Sequence, residues 1–210
     1  MRWVVFLRAV NVGGTNRCQP ALIAKQLARF GVVNIGAVGT FVVREDVSEP
    51  VLHAALARKL PFKCEIMICP ARDIIKLVRQ WTDSPWRASK NPFSGQPSGP
   101  DITRFVSVLA KRPGIRSGLH QTSNIKSARG RIRCGEPQTS QLPPLPLSLP
   151  SDDDWLLKII AIQGRFVLGL YRRQMKAISY LGKIEKKFGV AATTRNWNTI
   201  QKVAQILNDA

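Results

Sequence analysis

The stretch Trp3-Val4-Val5-Phe6-Leu7-Arg8-Ala9-Val10-Asn11-Val12-Gly13-Gly14 sets the frame for the first half of the chain. Its opening run, Trp3 to Leu7, is β-branched, aromatic or aliphatic throughout and reads as a buried strand within residues 2–9. The run empties into Asn11-Val12-Gly13-Gly14-Thr15-Asn16, a loop with strong turn chemistry. Pro20 suits the first turn of a helix, and Leu22, Ile23, Leu27 and Phe30 recur at helical spacing until Gly31 closes it. Two short strands follow over 32–37 and 40–44, split by Gly36 and Gly39. Ser48 starts a second helix, with Pro50 in its first turn and Val51, Leu52, Leu56 and Leu60 on one face; Pro61 ends it. A fourth strand covers 62–69. The order β-α-β-β-α-β is that of ferredoxin-like domains. The predicted fold class is therefore α+β, with a further amphipathic helix over 71–81.

The second half reads as a mixed α/β unit ending in helices. Residues 84–100 are rich in Ser, Pro and Gly and form a connector. A strand over 102–110 precedes a basic stretch in which Arg112, Arg116, Lys126, Arg129, Arg131 and Arg133 sit among Gly and Ser. A proline-punctuated segment, 137–150, reads as extended. Asp152, Asp153 and Asp154 make an acidic turn before strands over 156–162 and 165–171, joined at Gln163-Gly164. Leu181, Ile184 and Phe188 mark a helix that Gly189 terminates. Thr193 or Thr194 is then expected to cap a last helix, whose Trp197, Ile200, Val203, Ala204 and Leu207 form a core-facing stripe. The expected organisation is a ferredoxin-like subdomain at 1–83, the connector at 84–100, and a second α+β subdomain at 101–210 carrying a basic, proline-rich insertion at 111–153.

Thirty-two Lys and Arg against thirteen Asp and Glu give a net charge of +19. A surface of that sign attracts polyanions, so the partner classes it favours are nucleic acid, anionic lipid and phosphorylated small molecules. Cys18, Cys64, Cys69 and Cys134 form no C-x-x-C pair and have no histidine beside them, which speaks against a zinc site and for reduced thiols. No metal and no cofactor is expected. Arg8 interrupts the N-terminal apolar run, which is too short for a signal-peptide core or a membrane helix, so a cytoplasmic location without membrane association is expected.

Two segments together resemble the bacterial family known as domain of unknown function 1697. Phe6-Leu7-Arg8-Ala9-Val10-Asn11-Val12-Gly13-Gly14 is similar to that family's opening strand and its Leu-Arg-Gly-Ile-Asn-Val-Gly-Gly loop. Ala192-Thr193-Thr194-Arg195-Asn196-Trp197-Asn198-Thr199 is similar to the start of its closing helix. Val38-Gly39-Thr40 stands where many members carry Ser-Gly-Asn, and Ala177-Ile178-Ser179-Tyr180 where a Gly-x-Ser-Lys stretch is usual. The family has no assigned activity, so the resemblance implies a fold and a set of polar loops.

Two positions could carry chemistry. In the Asn11–Asn16 loop, Gly13 and Gly14 free backbone N–H groups to face an anion, with Arg8 as a counter-charge; the same pair equally suits a tight turn that needs positive φ. At the expected helix start, Arg195 and Asn196 offer donors beside free amides, or else cap the helix and pair a nearby carboxylate. Thr40 completes the candidate set of Arg8, Asn11, Gly13, Gly14, Thr40, Arg195 and Asn196. No Ser-His-Asp, Cys-His or Gly-x-Ser-x-Gly arrangement is present, and no catalytic residue is assigned. The expected function is binding of an anionic ligand, a phosphate-bearing small molecule or nucleic acid. The alternatives are an enzyme acting on a phosphorylated or nucleotide-like substrate, and a structural or regulatory interaction protein.

Overall fold

The computed structural model describes residues 1–12, 14, 16–81, 91–113, 144–150 and 153–209. The fold is α+β, with five α-helices and two antiparallel sheets among these residues. The first sheet takes β1 (Trp3–Leu7), β2 (Val32–Asn34), β3 (Thr40–Val43) and β4 (Ile66–Pro70) in the order β2-β3-β1-β4. β1 is thus an interior strand, flanked by β3 and β4, which is why all five of its residues are apolar and buried. Helices α1 (Pro20–Gln26) and α2 (Glu49–Lys59) connect the strands. A short 3-10 turn at Ala28–Phe30 follows α1 and ends at Gly31 in the left-handed conformation.

Helix α3 (Ala71–Trp81) leads toward the second sheet, formed by β5 (Ile102–Leu109), β6 (Leu147–Leu149), β7 (Leu157–Gln163), β8 (Phe166–Arg172) and β9 (Ala192–Asn196) in the order β6-β7-β8-β5-β9. Helix α4 (Met175–Phe188) stops at Gly189, again left-handed, and α5 (Trp197–Asn208) closes the described chain.

Alternation along the strands builds a layered body. Trp3, Val5 and Leu7 face a core shared with Ile23 of α1 and Leu52 and Leu56 of α2. Val4 and Phe6, on the opposite face, meet Ile74 and Leu77 of α3, Trp197 and Ile200 of α5, and Val106, Val108 and Leu168 of the second sheet. Phe105, Leu157 and Val167, on the far face of that sheet, are covered by Ile184 of α4. Helices α3 and α5 therefore lie between the two sheets, and the central core draws on both 1–83 and 101–210.

Several expectations are corrected. Thr193 and Thr194 do not cap a helix; they belong to β9, an edge strand paired with β5 through Val108↔Thr193 and Val106↔Arg195. Two adjacent β-branched residues favour extended backbone, and β5 supplies the partner that the sequence alone cannot show. The helix begins instead at Trp197, with Asn196 in the cap position. The strand expected at 32–37 stops at Asn34, where Gly36 and Gly39 adopt positive φ and turn the chain. The fourth strand begins at Ile66 and the penultimate helix at Met175. Of the connector, Asn91 and Phe93 are buried, and Phe93 stands edge-on to Trp197 at 5.4 Å. Of the proline-rich segment, Leu147–Leu149 pairs with β7 as an edge strand. The acidic turn keeps Asp153 and Asp154 in view, whereas Asp152, residues 82–90, the basic stretch from 114 onward and Cys134 lie outside the described residues.

Gly169, in the middle of β8, faces Phe105 across the sheet. A Cβ there would stand 2.7 Å from the Phe105 ring and 2.2 Å from the Lys158 carbonyl oxygen. Neither neighbour can yield, because β7 shifts register between Ile159 and Ala161 at this point and Phe105 is fully buried. Gly169→Ala is expected to cost about 3 kcal/mol through overpacking, read as a lower urea midpoint at unchanged slope.

Candidate functional site

Arg195 sits where the two sheets meet. From β9 its side chain crosses to the C-terminal end of β1 and the turn before β3, and the residue is only 6% exposed. Nε donates to the Thr40 hydroxyl at 2.7 Å. Nη1 donates to the Thr193 hydroxyl at 2.7 Å and the Thr194 carbonyl at 2.9 Å. Nη2 donates to the carbonyls of Leu7 at 2.9 Å and Val38 at 2.8 Å, with Gly39 more distant at 3.4 Å. All five N–H groups of the guanidinium are thereby engaged by neutral oxygens of the protein itself. Burial with no carboxylate among these partners lowers the Arg195 pKa to about 10. Gly39 makes the approach possible: its φ is +70°, and a Cβ would come within 2.8 Å of Leu7.

Arg8, one residue past β1, reaches a different partner. Nε and Nη2 donate to the two carboxylate oxygens of Glu185 at 2.6 and 2.7 Å, a bidentate pair. Glu185 Oε1 also accepts the Ala192 N–H at 2.9 Å, so α4 is tied to both β1 and the start of β9. The bond from Arg8 holds the Glu185 carboxyl below its ordinary range, and Glu185 in turn raises the Arg8 pKa.

Asn11 has φ 54°, and its carboxamide closes the loop. Nδ2 donates to the carbonyls of Cys18 at 3.0 Å and Ala37 at 2.7 Å, while Oδ1 accepts the Cys18 N–H at 3.0 Å. Gly14 is exposed with φ +78°, and Gly13 lies outside the described residues. Among the sequence-derived candidates, Thr40 and Arg195 are in contact, and Arg8 and Asn11 flank them through separate bonds. Asn196, next after Arg195 on β9, is exposed and points into a different space.

That space is an open cleft of about 450 Å³. Topology explains it. β5 runs antiparallel to both β8 and β9, so the start of β5 and the ends of β8 and β9 gather at one edge of the sheet, where α5 begins. Trp81, Arg104, Arg173, Asn196, Asn198 and Gln201 line it. Arg173 is exposed, and its Nε donates to the Thr103 hydroxyl at 2.9 Å. The Arg104 guanidinium lies over the Phe93 ring at 4.9 Å. Trp81 Nε1 donates to Gln163 Oε1 at 2.6 Å, and Asn196 Oδ1 accepts the Tyr171 hydroxyl at 3.3 Å. Among the described residues the lining contains no Asp or Glu. Arg104 and Arg173 escaped the sequence reading because they are far apart in the chain and meet only through strand pairing. The Asn196-Trp197-Asn198 run with Gln201 three residues on was the one local signal.

Cys69 is buried, and desolvation pushes its thiol up to about 12, whereas Cys18 and Cys64 are partly exposed. Among the described residues no group of three His, Cys, Asp or Glu side chains is placed to hold a metal ion. Among them, too, no helix is long and apolar enough to cross a membrane.

No protein-family model matches the chain, and no curated protein matches it by sequence. A solved structure does: a conserved bacterial protein, SP0830 from Streptococcus pneumoniae, superposes with a TM-score of 0.51 at 15% identity over 98% of each chain. At that identity the likeness concerns the fold alone, over nearly the whole length of both proteins.

The two arginines give separable expectations. Arg195→Met leaves buried carbonyls and hydroxyls without their donor and is expected to cost at least about 3 kcal/mol, with Arg195→Lys intermediate, by urea denaturation. Folding depresses the Glu185 pKa, so the Arg8 pair stabilises the protein above the ordinary carboxylate range and that contribution fades as pH falls through the folded-state value. Glu185→Gln should therefore cost up to about 1 kcal/mol near neutral pH and nothing in strong acid, measured as the gap between variant and parent midpoints across that range.

Proposed function

We propose that this chain binds a small phosphate-bearing anion in the cleft at the start of α5. The observation that carries this reading is the lining, which among the described residues holds two guanidinium groups, those of Arg104 and Arg173, and no carboxylate. Arginine is the side chain best matched to phosphate oxygens, because its planar fork donates two parallel hydrogen bonds. The first turn of α5 adds unsatisfied backbone N–H groups and the positive end of a 12-residue helix. At about 450 Å³ the cleft falls in the range of small-molecule sites, which is about 300–1,000 Å³. The +19 net charge draws anions toward it over longer distances.

Binding is favoured over catalysis because, among the described residues, the lining holds no His, Cys, Lys, Asp or Glu to act as a base or nucleophile. It is a hollow, and a nucleic-acid strand is better served by a continuous basic track. Of the candidates derived from sequence, Asn196 belongs to this cleft; Arg8, Asn11, Thr40 and Arg195 surround the junction between the sheets. The same reading places the chain in the family of domain of unknown function 1697, on the strength of the 6–14 and 192–199 segments.

Pyrophosphate and ribose 5-phosphate should raise the melting temperature, by the equivalent of about 2.7 kcal/mol at a hundredfold excess over Kd. Arg173→Ala should abolish the shift with little change in the unliganded midpoint, since Arg173 is exposed. Equal shifts in the variant and the parent would overturn the assignment.

A further inference from the structure

The chemistry of the cleft beyond its two cations narrows the class of anion. Trp81 ends α3 and forms part of the wall. Its one polar hydrogen is committed to Gln163 at 2.6 Å, which leaves the indole only its ring to present to a ligand. That bond also ties the end of α3 to the end of β7, so the ring is held in place before any ligand arrives. Aromatic faces stack on nucleobases whatever their identity.

The remaining polar side chains are carboxamides. Asn198 and Gln201 are three residues apart on α5 and therefore neighbours on one helix face. Asn196 precedes them at the cap and also lines the cleft, its Oδ1 accepting from Tyr171 at 3.3 Å. A carboxamide carries a donor and an acceptor side by side, the pattern that matches the mixed donor and acceptor edge of a base.

Resting on the anion-binding reading above, we infer that the cleft takes a mononucleotide, its base against Trp81 and the carboxamides of Asn198 and Gln201 and its phosphate on Arg104 and Arg173. The ring, the carboxamides and the guanidiniums come from α3, α5, β5 and the residue after β8, all of one chain.

Isothermal titration of the full chain with adenosine 5′-monophosphate, uridine 5′-monophosphate and ribose 5-phosphate tests this. At least one nucleotide should bind about tenfold or more tighter than ribose 5-phosphate, the increment that base stacking supplies. Trp81→Ala should bring the nucleotide down to the affinity of ribose 5-phosphate without changing the latter. Trp81→Phe, which keeps a ring but loses the bond to Gln163, should retain the preference, and this separates stacking from folding. Asn198→Ala with Gln201→Ala should narrow the difference between the adenine and uracil compounds. Equal affinities of all three ligands for the parent chain would overturn base recognition and leave the anion reading standing. No binding of any of the three would overturn both. A single-stranded oligonucleotide that binds far more tightly than either mononucleotide, with a steep loss on added salt, would count against the inference and move the partner to nucleic acid.

Discussion

The buried guanidinium of Arg195 is the contact on which the arrangement of the two sheets depends. It leaves β9 in the second sheet and binds the last carbonyl of β1, the turn before β3 and the Thr40 hydroxyl in the first. A strand end and a turn expose carbonyl oxygens that no sheet ladder can satisfy, and burial at this depth makes an internal donor necessary. A planar cation with five hydrogens is well suited to such a convergence, and each bond to it is stronger than one from a neutral donor. The lowered pKa records the cost of burying the charge, which the six bonds offset.

Arginines repeat this device elsewhere. Arg165, in the turn between β7 and β8, donates to the carbonyls of Leu109, Ala110 and Ile68, each at 2.8 Å, and so joins β5 of one sheet to β4 of the other. Arg2 reaches the carbonyl of Leu207 near the end of α5, and Arg172 that of Trp155. Part of the excess basic charge is thus structural, used to close backbone ends where layers meet. Net charge read from sequence cannot separate such residues from those left to meet a ligand. Arg173 belongs to the second kind: it is exposed at the rim of the cleft, and its side chain donates to the Thr103 hydroxyl.

Elements whose signal is local were readable from the residues. The apolar run of β1, the stripe of α3, the turn at Gln163-Gly164 and the stop at Gly189 all follow from short-range periodicity or backbone preference. The sequence does not place β9, because Thr serves equally as a cap and as a strand residue, and only the presence of β5 alongside decides between them. Arg195 and Asn196, adjacent in sequence, point to opposite sides of one strand: one into the junction, the other into the cleft. Arg8 and Glu185 could not be paired from sequence, being 177 residues apart. The cleft was invisible for the same reason, since three of its walls are strand ends brought together by antiparallel pairing.

Period-two alternation over one short segment links these features. On β9, Thr193 and Arg195 turn inward, to the Leu7 carbonyl and the inter-sheet junction, while Asn196 turns outward to line the cleft; α5 then opens with Trp197 buried in the central core and Asn198 on the cleft. β9 passes into α5 with no intervening loop, so the inward residues fix the position of the outward ones to within the stiffness of a strand and a helix. Trp197 adds a second anchor through its edge contact with Phe93, whose other neighbour is the Arg104 guanidinium. The cleft therefore inherits its geometry from the inter-sheet junction, and a polar site on an exposed edge is held by contacts that are themselves buried. That arrangement explains why an arginine engaged at all five of its hydrogens stands one residue away from a side chain that lines the cleft.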